Sequence, residues 1–371
     1  MKIISVMILL LIGHSIFAVD SKKILFNDSH FHLTNYIQEG ISPQRFLQLM
    51  GDQVGRSVLF GIPLQQQWSS RVSGLDRPPT YYLQTDAPLY YYSFTDAAIA
   101  MAYKSLTKAQ QQRFDPMITG FNPTDMYAAD HIRRVLETFP GVFSGIGEFT
   151  IHKEFVSSKV AGEVASLQDP AVDRILDFAG EAGLLVILHN DIDTPFPKPG
   201  DEPTYMEQMK NLLARHPRTK IIWAHVGVGR IVRPVENHLI SIERLLKDTR
   251  FQHVYFDISW IETAKYIVAN SQVTQTTADL IHRYPDRFLF GTDEVAPPDE
   301  KAYMKVYETY QPLWALLPAE DSEKVRKGNY VRLFDEARKK VRAWEKINLP
   351  STKNQRISQT YEKSSLISKR R

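Results

Sequence analysis

Two histidines separated by one residue lie near the start of the chain, in the stretch NDSHFHL over residues 27–33. Side chains at positions i and i+2 of a β-strand point to the same face, so His30 and His32 can direct both imidazoles at one point. Two imidazoles aimed together are typical of a metal site. Two polar residues at a strand end would give the same spacing, so the rest of the sequence has to decide.

Four more side chains that can bind a metal follow apolar runs further along the chain: Glu148, His189, His225 and Asp293. With the histidine pair they offer imidazole and carboxylate ligands suited to Zn²⁺, Mn²⁺, Fe²⁺ or Ni²⁺. The chain contains no cysteine, which excludes disulfides, thiolate metal sites and cysteine nucleophiles. We therefore expect a divalent metal, with Zn²⁺ as the expected ion, held by His, Asp and Glu alone.

Alternating strand and helix patterns supply the elements that must position these residues. Apolar runs predict eight buried parallel strands, at 23–28, 57–63, 116–122, 143–149, 184–190, 220–226, 253–259 and 287–293. Helical patterns are found at 124–139, 170–183, 201–216 and 234–248, and a further helix is predicted over 321–347. This order predicts an α/β fold, a TIM (β/α)8 barrel with extra C-terminal helices.

The barrel prediction places the candidate ligands where barrel enzymes carry their active sites, at the C-terminal ends of the strands. An open doubly wound sheet is the alternative fold. However, no glycine-rich nucleotide-binding motif follows any of the predicted strands. The barrel is therefore the preferred interpretation, as a single domain over 24–347.

A long insertion over 65–95 follows the second predicted strand and is rich in aromatic residues. In a barrel it would lie beside the active site, so Trp68, Tyr81 and Tyr82 are candidate substrate contacts. The same aromatic side chains could instead only pack the insertion down. Asp257, at the end of the seventh strand, is a further candidate for substrate contact.

The two ends of the chain have compositions of their own. Residues 1–18 combine a lysine with a short apolar stretch and a small residue at the end, which predicts a cleaved signal peptide and export to a periplasm or the medium. An uncleaved anchor is the alternative. After cleavage we expect no stable membrane insertion, because no later run is long and apolar enough. Residues 348–371 are predicted to form a disordered basic tail.

The formal net charge of +3 is concentrated at these ends. The tail from 353 to 371 carries +5 and Lys2 carries +1, which leaves the body near −3. A body of that charge has no electrostatic footprint for nucleic acid, so we expect a small-molecule substrate. An oligomer remains possible on this sequence.

The order H-x-H, Glu, His, His, Asp on a predicted barrel resembles the amidohydrolase superfamily of metal-dependent hydrolases, and its amidohydrolase-related branch in particular. GTD at 291–293 resembles the strand-eight motif of that branch, and KGNYVRLF at 327–334 resembles the segment that follows its barrel. The resemblance extends over about residues 24–336. It departs from the family at Glu148, where many two-metal members have a carboxylated lysine, and in GTDEVAP, which lacks the aromatic residue and proline often found after the aspartate.

The resemblance implies a hydrolase that activates water on one or two metals and cleaves an amide, ester, lactone or phosphoester bond. His30, His32 and Asp293 would hold the first metal, and His189 and His225 the second, with Glu148 bridging. A bound metal lowers the pKa of water from ~15.7 toward ~7. Asp293 would then take the proton of the water and pass it to the leaving group.

A rival interpretation keeps one metal, held by His30, His32, His189 and Asp293. His225 is then free as a polar catalytic group. Some members of the branch use such a site to decarboxylate an aromatic or unsaturated carboxylic acid, and an aromatic-rich insertion would suit that substrate. A barrel that only binds a ligand is a third possibility, disfavoured because every expected ligand position is filled.

Overall fold

The computed structural model describes residues 24–35, 40–63, 94–153, 156–157, 165–194, 203–230, 232–235 and 237–349. Its strands are β1 (Phe26–Asp28), β2 (Phe31–His32), β3 (Val54–Leu59), β4 (Phe114–Ile118), β5 (Gly145–Thr150), β6 (His152–Lys153), β7 (Val156–Ser157), β8 (Leu185–His189), β9 (Ile221–Trp223), β10 (Val254–Asp257), β11 (Phe288–Leu289) and β12 (Glu294–Val295). Each of the eight predicted strands overlaps one of them.

The α-helices lie between and after these strands. They are α1 (Pro43–Met50), α2 (Phe94–Ser105), α3 (Lys108–Gln111), α4 (Ala128–Thr138), α5 (Pro170–Ala182), α6 (Met206–Arg215), α7 (His238–Lys247), α8 (Ile261–Ile267), α9 (Ser271–Arg283), α10 (Glu300–Thr309), α11 (Gln311–Leu316), α12 (Ala319–Glu323) and α13 (Asn329–Asn348). Within these described helices, none is long and apolar enough to cross a membrane.

Eight parallel strands form one sheet in the order β1-β3-β4-β5-β8-β9-β10-β11, which is the order of a (β/α)8 barrel. The first and last strands meet just beyond their C-terminal ends. There, β2 pairs in parallel with β12, and the amide of Ser29 donates to the carbonyl of Phe290 over 3.2 Å. The predicted barrel fold is confirmed.

The helix–strand units follow from local sequence signals. Helix α5 begins after Asp169, whose carboxylate accepts a hydrogen bond from the amide of Ala171 over 2.9 Å. It ends at Gly183, which adopts φ +77°. Glycine tolerates this left-handed conformation without steric cost, so the predicted stop signal is confirmed. All five residues of the following strand β8 are buried, which explains its continuous apolar sequence.

Helix α13 fastens the barrel at the N-terminal ends of the strands. The side-chain amide of Asn329 donates to the carbonyls of Pro285 and Phe288 over 2.7 and 2.8 Å. Further along, Tyr330 and Arg338 both bond to the buried carboxylate of Asp115. The extra C-terminal helix predicted from the sequence is therefore part of the barrel's packing.

Several predicted features lie outside the described residues. These are the signal peptide over 1–18, most of the insertion over 65–95 with Trp68, Tyr81 and Tyr82, and the tail from 350 onward. Predictions for these segments stay predictions.

Candidate metal centre

The six predicted ligands converge at the C-terminal edge of the barrel. Five of the side chains are at most 2% exposed, and the carboxylate side chain of Asp293 is 7% exposed. The structure thus brings together all the residues that the sequence predicted for the metal centre: His30, His32, Glu148, His189, His225 and Asp293.

One group of ligand atoms contains the histidine pair with a carboxylate on either side. Nε2 of His32 lies 3.2 Å from Oε2 of Glu148 and 3.1 Å from Oδ1 of Asp293. Nε2 of His30 lies 3.2 Å from the same Asp293 oxygen and 3.9 Å from the same Glu148 oxygen. Glu148 therefore stands beside the pair, in the place that the one-metal interpretation gave to His189.

A second group lies on the other side of Glu148. Its Oε1 is 2.5 Å from Nδ1 of His189 and 3.8 Å from Nε2 of His225. The second oxygen of Asp293, Oδ2, is also 3.8 Å from Nε2 of His225. Both carboxylates therefore turn one oxygen toward the histidine pair and the other toward the second group.

The far nitrogens of the histidine pair are held by acceptors. Nδ1 of His30 donates to Oδ2 of Asp257 over 3.0 Å, and Nδ1 of His32 donates to the carbonyl of Gly61 over 3.0 Å. A proton on Nδ1 leaves Nε2 with a bare lone pair. Both Nε2 atoms are therefore prepared to bind a cation.

The other two histidines are fixed in different ways. Nε2 of His189 donates to Oδ1 of Asp191 over 3.1 Å, so its Nδ1 faces Glu148. Nδ1 of His225 lies 3.0 Å from the hydroxyl oxygen of Ser259. The 2.5 Å contact between Nδ1 of His189 and Oε1 of Glu148 is a hydrogen bond. His189 would therefore bind a cation through Nδ1 after giving up that proton, whereas the other three histidines would use Nε2.

Two of these lone-pair positions are buried without a hydrogen bond among the described residues. They are Nε2 of His30 and Nε2 of His225. The carboxylate oxygens nearby do not have hydrogen-bond geometry toward them, although they are close. Buried polar atoms normally have partners, so this arrangement fits a centre whose ligands all point at a cation.

The electrostatics of the centre favour a cation as well. Burial opposes ionisation of Asp293, but His30 and His225 hold the pKa of its carboxyl well below the usual range. Burial also opposes ionisation of Glu148, and Lys153 and His189 overcome it and lower its pKa. Burial lowers the pKa of His225. The centre therefore combines ionised carboxylates with one imidazole, that of His225, which stays neutral. At the other three histidines the neighbouring carboxylates outweigh burial and raise the pKa, so these rings would give up a proton on binding a metal.

Burial also opposes a charge on His30, yet Asp293 and Asp257 raise its pKa well above the ordinary value. A proton on this imidazole compensates the negative charge of Asp293 and Asp257, and a bound cation would compensate the same charge. Loading of a metal would therefore release protons from the centre.

Backbone strain is concentrated at the same edge. His225, Val226 and Asp293 adopt φ of +56°, +48° and +53°, a region that side chains other than glycine rarely occupy. At Gly291, an added Cβ would lie 2.6 Å from the amide nitrogen of His30. These positions are held against their local preference by the surrounding structure, as is common at functional sites.

The structure adds residues that the sequence did not single out for the centre. Asp191, Ser259 and the carbonyl of Gly61 orient ligand histidines. Only Asp191 had a readable signal, because it lies two positions after His189 and could share its side of the chain. Asp257 is fully buried, and both of its carboxylate oxygens accept hydrogen bonds within the protein, one of them from His30. In this structure it orients His30, and its predicted contact with substrate stays a prediction.

An aromatic ring with two cations lies beside the second group. The ring of Trp260 is 5.1 Å from the ring of His225. The ammonium of Lys153 and the guanidinium of Arg230 lie 5.2 and 5.6 Å from the Trp260 ring. Both distances are within the range of cation–π attraction. The indole of Trp260, which is 9% exposed, is therefore flanked by two cations beside the second group.

Comparison with known proteins identifies the family of the chain. The chain matches the family described as Amidohydrolase over residues 28–335. No match was found among curated proteins.

Solved structures share the fold at low sequence identity. A 2,6-dihydroxybenzoate decarboxylase complexed with 2,6-dihydroxybenzoate is 15% identical, with a TM-score of 0.52 over 84% of this chain and 99% of that chain. The 2,6-dihydroxybenzoate decarboxylase from Rhizobium is 14% identical, with a TM-score of 0.50 over 84% and 99%. An amidohydrolase from Burkholderia multivorans is also 14% identical, with a TM-score of 0.50 over 84% and 99%.

Proposed function

The chain belongs to the amidohydrolase family, and from that premise we propose that it is a metal-dependent hydrolase. The proposed reaction is the cleavage of an amide, ester, lactone or phosphoester bond in a small molecule, by water activated at two divalent cations. Zn²⁺ is the proposed ion, because imidazole and carboxylate ligands at a buried site suit it.

The position of Glu148 carries this proposal. Its Oε2 is 3.2 Å from Nε2 of His32, and its Oε1 is 2.5 Å from Nδ1 of His189. One carboxylate with a separate oxygen for each pair of histidines has the arrangement of a bridging ligand between two cations. Asp293 repeats the pattern with Oδ1 toward the histidine pair and Oδ2 toward His225.

A divalent cation held by these residues would lower the pKa of a water molecule toward ~7 and polarise the carbonyl or phosphoryl oxygen of the substrate. Asp293 is the proposed proton carrier, because it is ionised and is the most exposed of the six ligands. It would take the proton of the attacking water and give it to the leaving group. His225, kept neutral by burial, would bind or orient through its bare Nε2.

Decarboxylation of an aromatic or unsaturated acid is the second candidate function. The observation that favours it is Trp260, whose ring adjoins His225 and has Lys153 and Arg230 against it. A flat ring would stack on the indole, and the cations would attract its carboxylate. In that reaction one cation suffices, held by His30, His32, Glu148 and Asp293. His225, whose Nε2 carries no proton, would first take one from solvent and then deliver it to the carbon that loses the carboxylate.

Metal stoichiometry tests the two candidates against each other. Elemental analysis of the purified chain, after reconstitution with Zn²⁺, should give about two metals per chain for the bridged hydrolase. Hydrolysis of a panel of esters, lactones and phosphoesters should then be detected. One metal per chain with carbon dioxide release from aromatic acids would replace the hydrolase with the decarboxylase. Failure to bind any metal would contradict both.

We also propose that the protein is exported, on the basis of the apolar stretch within residues 1–18. Mass spectrometry of the chain purified from its own cells should show a mature N-terminus near residue 19. An N-terminus at Met1 in a soluble cytoplasmic fraction would contradict this proposal.

A further inference from the structure

The floor of the metal centre is formed by Asp257, the last residue of strand β10, and by Ser259, two residues later. Asp257 and Ser259 are both fully buried. Oδ1 of Asp257 accepts hydrogen bonds from the amide of His225 over 2.9 Å, from the amide of Ser259 over 3.1 Å and from its hydroxyl over 2.5 Å. Oδ2 accepts from Nδ1 of His30 over 3.0 Å. One carboxylate therefore touches histidines on both sides of Glu148.

The direction of each proton in this network follows from counting donors. The two amides can only donate, so Asp257 acts as an acceptor toward both. The hydroxyl of Ser259 has a single proton, and its 2.5 Å contact with Asp257 uses that proton. Its oxygen can then only accept toward His225, whose Nδ1 lies 3.0 Å away. His225 must therefore carry its ring proton on Nδ1, and its Nε2 is bare.

The bare Nε2 is the atom that faces the reaction centre. It lies 3.8 Å from Oε1 of Glu148 and 3.8 Å from Oδ2 of Asp293. If the ring proton were on Nε2 instead of Nδ1, Nε2 would present an N–H to these carboxylates. It could then neither bind a cation nor accept a proton. The hydroxyl of Ser259 is the hydrogen-bond partner of Nδ1, and Oδ1 of Asp257 lies further away, at 3.6 Å.

The turn that carries Ser259 is held firmly from outside the centre. The hydroxyl of Tyr310 donates to the carbonyl of Ile258 and lies 3.3 Å from the carbonyl of Trp260. Trp260 itself adopts φ +82°, which a non-glycine residue keeps only when its surroundings impose it. The serine is therefore fixed at its distance from His225.

We propose that Ser259 is a positioning residue that sets the tautomer of His225, and that through Asp257 it joins His225 to His30 in one hydrogen-bonded unit. This inference rests on the proposed function in one respect, namely that the lone pair on Nε2 of His225 is used by the centre. It adds a requirement for a hydroxyl group at position 259, which lies outside the set of six candidate ligands.

Ser259→Ala tests the requirement, with Ser144→Ala as the matched control. Ser144 is also a buried serine, but it precedes strand β5 at the opposite edge of the barrel, and its hydroxyl has no hydrogen-bond partner among the described residues. Both variants lose the same atom from a buried site. Ser259→Thr keeps a hydroxyl and serves as the rescue.

Two measurements on the full-length purified chain are needed. The first is the affinity for Co²⁺ and for Zn²⁺, each added alone to metal-free protein in competition with a chromophoric chelator. The second is the tautomer of His225, read from ring nitrogen correlation spectra of protein labelled at histidine, with a His225→Gln variant to assign the signal.

We expect Ser259→Ala to lose about 10- to 100-fold in metal affinity, as is usual when an outer hydrogen-bond partner of a ligand is removed. Its His225 proton should move to Nε2. Ser144→Ala should match the wild type, and Ser259→Thr should recover both properties.

Wild-type tautomer and affinity in Ser259→Ala would overturn the proposal. An affinity loss with an unchanged tautomer would overturn it too, because packing and not the hydroxyl would then be the cause. If the wild type bound no metal at all, the proposed function would fail, yet the tautomer shift would still decide the role of Ser259.

Discussion

Each edge of the barrel contains a fully buried aspartate, Asp115 in β4 and Asp257 at the end of β10. The two carboxylates have opposite kinds of hydrogen-bond partners. At the N-terminal edge, Asp115 receives Arg56 at 2.7 Å, Arg338 at 2.6 Å and the hydroxyl of Tyr330 at 2.8 Å. At the C-terminal edge, Asp257 receives His30, but Nε2 of that histidine points on into the centre without a hydrogen bond among the described residues. In the first network every partner of the carboxylate is a protein donor that compensates it, whereas in the second the partner, His30, has a ligand atom still available to a cation.

The difference separates a structural network from a binding one. A buried carboxylate whose partners are permanent cations is already neutralised and holds α13 against the strands. A buried carboxylate whose partner is an imidazole orients that ring, but its negative charge is not fully compensated. A cation bound at the far nitrogen of the ring would complete the compensation. Breaking the first should cost stability, and breaking the second should cost binding and activity.

The largest effect is expected when the histidine pair is removed. His30→Ala combined with His32→Ala deletes two ligand atoms of the first group, so bound metal and activity should both fall to background. Elemental analysis and the assay identified by substrate screening check this. His282→Ala, at a surface site beside Asp321, is the control and should keep both. Metal and activity that survive the double change would remove the centre from the mechanism.

The next effect concerns the carboxylate between the two groups. Glu148→Gln keeps the shape of the side chain but removes the charge and half of its acceptor capacity. We expect the metal content to fall from about two to about one per chain, since one oxygen no longer serves the second group. An unchanged count above one would show that Glu148 does not bridge, and a wild-type count of one would favour the decarboxylase.

A smaller effect, of a different kind, is expected at the opposite edge. Asp115→Asn leaves the partly buried Arg56 and Arg338 beside an uncharged amide. It should lower the free energy of unfolding by less than the ~3–5 kcal/mol of a fully buried pair, because Arg338 is 35% exposed. Metal content and activity at 25 °C should stay near wild type while the chain remains folded. Denaturant unfolding followed by circular dichroism measures the first, and the metal assay measures the second. Lost metal with intact stability would erase the contrast between the edges.

The last effect appears only as a pH dependence, at a carboxylate that has neither a cation nor an imidazole as a partner among the described residues. Asp96 on α2 is buried and accepts hydrogen bonds from the amides of Thr119 and Gly120 over 3.0 and 2.8 Å. Burial raises the pKa of its carboxyl from 3.8 to about 7. The native state therefore holds this proton more tightly than the unfolded state does. The stability it gives is complete below pH 3.8 and is lost as pH rises through about 7.

Asp96→Asn should remove that pH dependence, because an amide does not titrate in this range. The free energy of unfolding of the wild type, relative to the variant, should decline by a few kcal/mol between these pH values. Urea unfolding at a series of pH values gives both curves. A difference that is constant or that grows with pH would show that burial does not raise this pKa.

Much of the architecture and of the ligand set could be predicted from the sequence. The apolar runs marked all eight strands, and a metal-binding side chain at the end of several of them indicated one shared edge. The bounds were less accurate because the site bends the chain. Strand β9 ends at Trp223 instead of 226, since His225 and Val226 turn into the left-handed region. Strand β11 likewise ends before Asp293, for the same reason.

Apart from the contact between His189 and Asp191, the orienting contacts could not be predicted, for a physical reason. His30 meets Asp257 across 227 positions of sequence, and His32 meets the Gly61 carbonyl only because their strands are neighbours. Such pairs depend on barrel geometry and side-chain rotamers, and a linear pattern does not contain either. The hydroxyl of Ser259 is a further example, since a serine two residues after a strand-end aspartate is an ordinary turn sequence.

The closure between β2 and β12 has a consequence for how the protein acquires its activity. Thr292 donates to Asp28 across 264 positions, so the first and last ligands meet only when the final strand arrives. Contacts so distant along the chain form late and slowly during folding. A chain still being synthesised therefore has no complete centre. A metal that binds the folded barrel and not its precursors will stabilise only molecules in which β2 and β12 have paired. Metal binding would therefore favour completely folded chains over partly folded ones.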